Sequence, residues 1–478
     1  MPTTPVRLPP VALSSEPMRP VDTTWLRMDQ PNNLMHVNGV LGLGGALEME
    51  RVRTLVVERL LRIPRFRQRV VEHRGRFRWE IAPDFDLDDH LVSERLPAPG
   101  GRAEAEQLFG ELMSRPFDRA RPLWQLHIVP GYEGGTAVFC RLHHAIGDGV
   151  ALLLVLLSLC DLEPDGRLAA ATPADEAPPP LSTQIASLFG QPVESFASVR
   201  TLLEEVMPDA MRLLLHPIDA MRRRNALLRN LAAVGAAGRL AVYSSDPRTT
   251  FKGELVVAKR VAWSRRIPIP EIKQVGAAIG GTVNDILVNA TAGAMYHYLA
   301  AQGEVAPDLV VRAAMPVNLR PLEKLNELGN RFGLAFLGLP VGIADPVERL
   351  TALHREADRL KHSAQPLAAY GILHTMGRLP LAAQRLIVSL FGAKATAVMT
   401  NVPGPRRRLY LCGRPLEEIF FWVPQAGRLG LGTSILSYCG EARLGVATDA
   451  GLVPDPERLI AGFETEWERL RERAGLAG

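Results

Sequence analysis

The sequence predicts an α/β protein divided into two lobes. Three observations carry that reading. Thr136 to Phe139 is an apolar run of strand-forming residues that enters a tight loop, Cys140-Arg141-Leu142-His143-His144-Ala145-Ile146-Gly147-Asp148, and Gly149 to Leu159 then continues as an apolar stretch of buried-helix length. Strand-like and helix-like segments alternate along most of the chain. A stretch rich in Pro, Ala and acids, Asp161 to Pro180, followed by helical material from Leu181 to Ala241, separates two such series. A length of 478 residues fits about two or three domains. The expected organisation is an N-terminal lobe over 1–180, a helical linker over 181–248 and a C-terminal lobe over 249–478.

In the first series, Leu34 to Val40 reads as a strand and Glu48 to Leu61 as a helix. His36 on that strand is read as a core histidine held by hydrogen bonds, with a functional role as the alternative. Phe77 to Glu80 is a short strand and Glu104 to Ser114 a helix. Gln125 to Val129 leads through a turn at Gly131 to Gly135 back to the histidine strand, so two antiparallel strands reach the loop. Within 181–241, Met211 to Val234 is a basic amphipathic stretch. Pro217 interrupts it, which favours a bridging helix over one lying on a membrane interface. In the second series Leu255 to Trp263 is a strand and Pro270 to Ile279 a helix. Gly281 to Asp285 opens another helix, with Ile286, Ala290, Ala294 and Tyr298 on one face. Val310 to Val317 and Leu334 to Leu339 are strands, Pro346 to Lys361 and Leu381 to Leu390 helices. The two prolines around Gly404 are read as a rigid turn. Leu431 to Tyr438 and Glu441 to Thr448 form a hairpin before a terminal helix, Asp455 to Arg473.

Composition narrows the function classes. A net charge of +4 without a dense basic run interleaved with aromatics argues against nucleic acid as a partner. The mild positive excess suits an anionic cosubstrate or an anionic lipid surface. Cys140, Cys160, Cys412 and Cys439 have no metal-type or disulfide-framework spacing and read as core thiols in a reducing compartment. The first twenty residues lack the apolar core of a signal peptide. The longest apolar run, Val150 to Leu157, falls short of the roughly 20 residues that span a bilayer. The expected location is cytoplasmic, with peripheral contact at the inner membrane or a lipid droplet left open.

The histidine loop carries the chemistry. Neighbouring residues on an extended chain point to opposite sides, so His143 and His144 do not converge on one ion, and no metal is expected. His144 is read as a general base acting on a hydroxyl, because an imidazole accepts protons near neutral pH. His143 supports the loop from behind. Asp148 is read as a helix N-cap or an ion-pair partner, and Gly149 as the turn that starts the helix.

His143-His144-x-x-x-Asp148-Gly149 resembles the signature of the chloramphenicol acetyltransferase-like superfamily of CoA-dependent acyltransferases and condensation domains. Further elements follow in order: Pro20-Val21-Asp22 before Met35-His36-Val37, Pro122-Leu123-Trp124, Thr282-Val283-Asn284-Asp285, Gly329-Asn330 and Asn401-Val402-Pro403-Gly404-Pro405. With them the chain, from about Pro20 to Asp455, resembles the bacterial wax ester synthase/diacylglycerol acyltransferase family. Asp29 departs from the Glu usual there.

The resemblance implies two chloramphenicol acetyltransferase-like lobes, each a mixed sheet flanked by helices, with the active site in a tunnel between them. It implies transfer of a long-chain acyl group from acyl-CoA, as co-substrate rather than bound cofactor, to diacylglycerol or a long-chain alcohol. It also implies Arg320 as an ion-pair partner of Asp148 and Asn284 as a site-shaping or oxyanion-binding residue. The absence of a Gly-x-Ser-x-Gly elbow fits direct attack on the thioester. Three alternatives stand beside it. His143 and Asp148 also satisfy the His-x-x-x-x-Asp pattern of glycerophosphate-type acyltransferases. A condensation-type enzyme would use a carrier-bound acyl donor. A non-catalytic lipid-binding or scaffolding protein would share the fold alone.

Overall fold

A computed structural model describes residues 15–164, 244–319, 328–361, 365–425 and 427–476. Most of the expected linker, the basic stretch Met211 to Val234 and Arg320 lie outside the described residues. The first half comprises β1 (Glu16–Pro17), α1 (Pro20–Met28), β2 (His36–Leu43), α2 (Met49–Glu58), β3 (Gln68–His73), β4 (Arg76–Ile81), β5 (Leu91–Ser93), α3 (Arg102–Met113), β6 (Trp124–Pro130), β7 (Thr136–His143) and α4 (Gly149–Leu157). The second comprises β8 (Lys259–Trp263), β9 (Ile267–Pro268), α5 (Ile269–Ile279), α6 (Val283–Ala301), β10 (Val311–Asn318), β11 (Phe332–Leu339), α7 (Pro346–Lys361), α8 (Gln365–Met376) and α9 (Leu381–Gly392). It continues with β12 (Ala397–Pro403), β13 (Tyr410–Leu411), β14 (Arg414–Trp422), β15 (Leu431–Tyr438), β16 (Glu441–Asp449) and α10 (Pro456–Arg473).

Two mixed sheets organise these elements. One runs β13-β14-β2-β7-β6-β5 and the other β11-β10-β12-β15-β16-β8, with β9 beside β16; β1, β4 and β3 make a small third sheet. All residues of β2 and β7 are buried, as interior strands require. Their antiparallel register sets His36 opposite His143 at the end of the ladder that delivers the histidine loop. Trp124 anchors the adjacent strand: its Nε1–H donates to the Phe66 carbonyl at 2.8 Å and its ring stacks on His90 at 4.5 Å.

The serial division into lobes needs correction. β13 and β14 lie in the second half of the sequence, yet β14 pairs with β2 and completes the first sheet. Both faces of β14 are needed where it sits. Leu416 and Ile419 join the core around the histidine loop, whereas Phe420 and Trp422 join an aromatic cluster with Trp263 and Phe109. The lobes are therefore interlocked, and 249–478 is not a self-contained unit. Thr400 to Pro403, just ahead of the turn around Gly404, continue β12, paired in parallel with β15. Gly404 follows where the chain passes against β15; a Cβ there would stand 2.3 Å from the Ser437 carbonyl oxygen. Among the described residues no helix is long and apolar enough to cross a membrane.

Candidate active site

Strand alternation sends the two loop histidines in different directions. His143, 1% exposed, accepts the Ala145 N–H at Nδ1 (3.0 Å), so a neutral ring carries its hydrogen on Nε2. That nitrogen faces Asp29 Oδ2 at 3.7 Å. Asp29 also accepts from the Met35 N–H (2.8 Å) and from Arg119 (3.2 Å). Burial pushes the Asp29 carboxyl up, but the adjacent His143 imidazole and the Met35 amide outweigh it and hold it well below the usual carboxylate range.

His36 is buried opposite His143, but the expected hydrogen bonds are not there: neither ring nitrogen has a partner among the described residues. Burial, then the charge of Arg141, holds its pKa well below the ordinary value, so the ring stays neutral. Donor atoms of Asp29, His36 and His143 lie within 4.8 Å of one another, a ligand set by residue type. The protonation pattern does not suit an ion. His143 Nε2 carries a hydrogen while Nδ1 is committed to Ala145, so ligation would require an imidazolate. The trio fits a bracket that holds the loop from behind.

His144 turns the other way. Its N–H donates to the Met35 carbonyl at 2.8 Å. Its ring stacks on Trp25, with centroids 4.1 Å apart and planes 15° from parallel, and Phe332 stands 5.6 Å away. Nδ1 lies 2.8 Å from Asn330 Oδ1. Burial lowers its pKa to about 4, opposed only in part by hydrogen bonds of the ring to its own backbone carbonyl and to Asn330.

Asp148 makes contacts in two directions. Oδ1 accepts the Ala151 N–H at 3.0 Å as the N-cap of α4, and Gly149 is the first helical residue. Oδ2 accepts the Arg331 N–H at 3.2 Å. Arg331 belongs to a second-half segment laid along the loop. The Gly329 N–H donates to the Ile146 carbonyl (3.0 Å) and the Asp148 N–H to the Gly329 carbonyl (3.4 Å). Gly329 has φ +104°, and a Cβ there would meet Arg19 Nη1 at 3.0 Å, so the crossing needs glycine. In the sequence Pro20-Val21-Asp22 and Gly329-Asn330 stand out only as family-like motifs, with no local signal of a role for either.

On α6, Thr282 and Asp285 form the capping box: Thr282 N–H donates to Asp285 Oδ2 (2.9 Å) and Asp285 N–H to Thr282 Oγ1 (3.3 Å). Asn284 is thereby released from capping. Its Oδ1 accepts from Asn401 Nδ2 at 2.9 Å, which leaves its own Nδ2 for other partners.

His144, Gly149 and Asn284 line one cavity of about 1070 Å³. Its walls come from both halves and are mainly apolar, including Trp25, Leu152, Phe332, Phe336, Leu373, Phe391 and Met399. They extend to the exposed side chains of Lys273 and Arg406, so the cavity reaches the surface. The volume is at the top of the ~300–1,000 Å³ span of ordinary small-molecule pockets, and suits extended chains.

The family description "Wax ester synthase/diacylglycerol acyltransferase catalytic domain" matches residues 18–287, and "WS/DGAT C-terminal domain" matches 328–471. The chain belongs to the wax ester synthase/diacylglycerol acyltransferase family. A Mycobacterium tuberculosis member named "Putative diacyglycerol O-acyltransferase" is 32% identical over 406 residues, covering 82% of each chain. Another from that organism, "Probable diacyglycerol O-acyltransferase", is 27% identical over 440 residues, covering 89% of each. Among solved structures, the wax ester synthase/diacylglycerol acyltransferase from Marinobacter aquaeolei VT8 superposes with a TM-score of 0.68 at 23% identity, over 96% of this chain and all of that one. The first condensation domain of the CDA synthetase gives 0.54 at 14% identity, over 96% and 97%. Both share the two-lobed, chloramphenicol acetyltransferase-like fold. The protein is thus an acyltransferase-family member with two mixed sheets flanked by helices.

Proposed function

We propose that the protein moves a long-chain acyl group from acyl-CoA to diacylglycerol, a long-chain alcohol or both, with His144 as general base. The observation that carries this is a neutral imidazole on the wall of a large apolar cavity, with Nδ1 engaged by Asn330 and Nε2 left for substrate. Nε2 takes the proton of the acceptor hydroxyl as its oxygen bonds to the thioester carbonyl carbon. The tetrahedral oxyanion is met by a hydrogen-bond donor, for which Asn284 Nδ2 is the candidate. Collapse breaks the carbon–sulfur bond, and the imidazolium returns the proton to the CoA thiolate. Asp148 and His143 hold the loop, while Lys273 and Arg406 at the mouth suit the phosphates of CoA. Acyl-CoA is a co-substrate in this scheme, not a resident cofactor.

Both substrates are oily, and α9 offers a place to meet a lipid surface. Leu381, Leu386 and Leu390 are 42%, 62% and 53% exposed, whereas Ile387, Val388 and Phe391 of the same helix line the cavity. Peripheral contact with a membrane or lipid droplet at this helix is part of the proposal. Leu386→Asp with Leu390→Asp is expected to reduce co-sedimentation with neutral phosphatidylcholine vesicles; unchanged co-sedimentation removes α9 as the contact.

The activity test is purified protein with palmitoyl-CoA and either diolein or hexadecanol. Acceptor-dependent CoA release, lost in His144→Ala with the fold intact, supports the reading. Equal turnover in that variant refutes the base, and lipid binding without turnover favours the non-catalytic alternative.

A further inference from the structure

We propose that Asp22 and Asn330 are a positioning pair that helps fix which nitrogen of His144 carries its hydrogen, so that docking of the second half of the chain on the first completes the base. The inference rests on the reading of His144 as base and deepens it.

The amide of Asn330 can only donate at Nδ2 and only accept at Oδ1. Nδ2 lies 2.9 Å from Asp22 Oδ1 and 2.7 Å from the carbonyl oxygen of His144. Both of those atoms accept. Turning the amide over would put its oxygen against two acceptors, so its orientation is set. Oδ1 must then face His144 Nδ1, and a 2.8 Å contact to an atom that only accepts requires a hydrogen on Nδ1. Nε2 keeps its lone pair. The stacked Trp25 indole holds the ring in the plane where this bond forms.

Asp22 makes the orientation of Asn330 secure. It is 2% exposed and accepts from the Asn330 backbone N–H at 3.0 Å as well as from the side chain. Arg19 and Arg65 are the cations near it, and burial raises its carboxyl to about 6, which leaves it mostly ionised at neutral pH. Asn330 is 186 positions from His144 and belongs to the segment that lies along the histidine loop. Before the halves dock, the ring lacks the Asn330 oxygen and keeps only the carbonyl of its own residue nearby, and a free imidazole side chain favours hydrogen on Nε2, the form that cannot accept a substrate proton there. The two motifs therefore act through His144 and touch no reacting atom.

The test uses the full chain with ¹⁵N-labelled histidine rings at neutral pH, with His144 assigned by comparison with His144→Ala. The expected result is a pyrrole-type Nδ1 and a pyridine-type Nε2. A pyridine-type Nδ1 in the unaltered protein overturns the proposal, and this readout needs no variant to fold. Asn330→Ala is expected to shift the ring toward the Nε2–H form and to lower kcat on the order of 10²-fold, with little change in KM for palmitoyl-CoA. The exchange of Asp22→Asn with Asn330→Asp keeps an acceptor opposite Nδ1. It is expected to recover the Nδ1–H form and to move the acid limb of the pH–rate profile upward, because a carboxylate then faces the imidazolium. Unchanged ring signals and unchanged kcat in Asn330→Ala refute the pair while His144→Ala still reports on the base. Full activity in His144→Ala would instead sink the base assignment itself.

Discussion

Lowering the pH separates a buried base from an ordinary one. An imidazole with a pKa near 6.5 is only about 9% neutral at pH 5.5, whereas one at about 4 is about 97% neutral. The buried His144 should therefore keep about ten times more of its kcat/KM at pH 5.5 than an unperturbed histidine would. Its acid limb should centre below pH 5. The assay is initial-rate CoA release from palmitoyl-CoA with diolein, quantified chromatographically so that detection does not depend on thiolate. Stability has to be followed in parallel. The pKa of His144 is lower in the folded state, so its contribution is complete above about 6.5 and is lost as pH falls toward 4; His90 at about 4 and His127 at about 3 act in the same direction. Asp22, raised to about 6, acts oppositely: its buried charge is relieved as pH falls below 6. The melting temperature is accordingly expected to decline between pH 6.5 and 4. A limb centred at pH 6 to 7, fully reversed on return to pH 7.5 and unaccompanied by unfolding, would refute the buried-base reasoning.

Three further outcomes are expected. Trp25→Ala admits water to the His144 ring, so the acid limb should move toward 6.5 while kcat falls; an unchanged limb would mean that the indole does not set the desolvation. Asp148→Ala removes the α4 cap and the bond to the Arg331 amide, and should cost roughly 1–3 kcal/mol in urea unfolding. A cost below ~0.5 kcal/mol would contradict the capping role. Gly404→Ala drives a methyl into the Ser437 carbonyl, and a loss of about 2 kcal/mol or more is expected from the same measurement, with wild-type stability as the contrary result.

Local structure was legible in the sequence and long-range pairing was not. The strand, loop and helix around His144 could be read because an apolar run, a turn and an N-cap follow one another within twenty residues. The β15–β16 hairpin was legible for the same reason. β14 went unread because its partner, β2, lies hundreds of positions earlier and its two faces serve different cores. Thr400 to Pro403 went unread as a strand because the parallel partner that makes it one is remote. Asp22 sits in the first turn of α1, where an acid is ordinary, and nothing local ties it to Asn330 or either of them to His144.

The late arrival of β14 has a consequence for biosynthesis. As the polypeptide leaves the ribosome, β2 and β7 can pair at once, but one flank of β2 stays open until Arg414–Trp422 has been made. An uncovered, largely apolar strand margin is an invitation to self-association. A gene fragment ending before residue 414 should yield insoluble material, and the nascent protein has reason to need a chaperone's shelter for most of its synthesis.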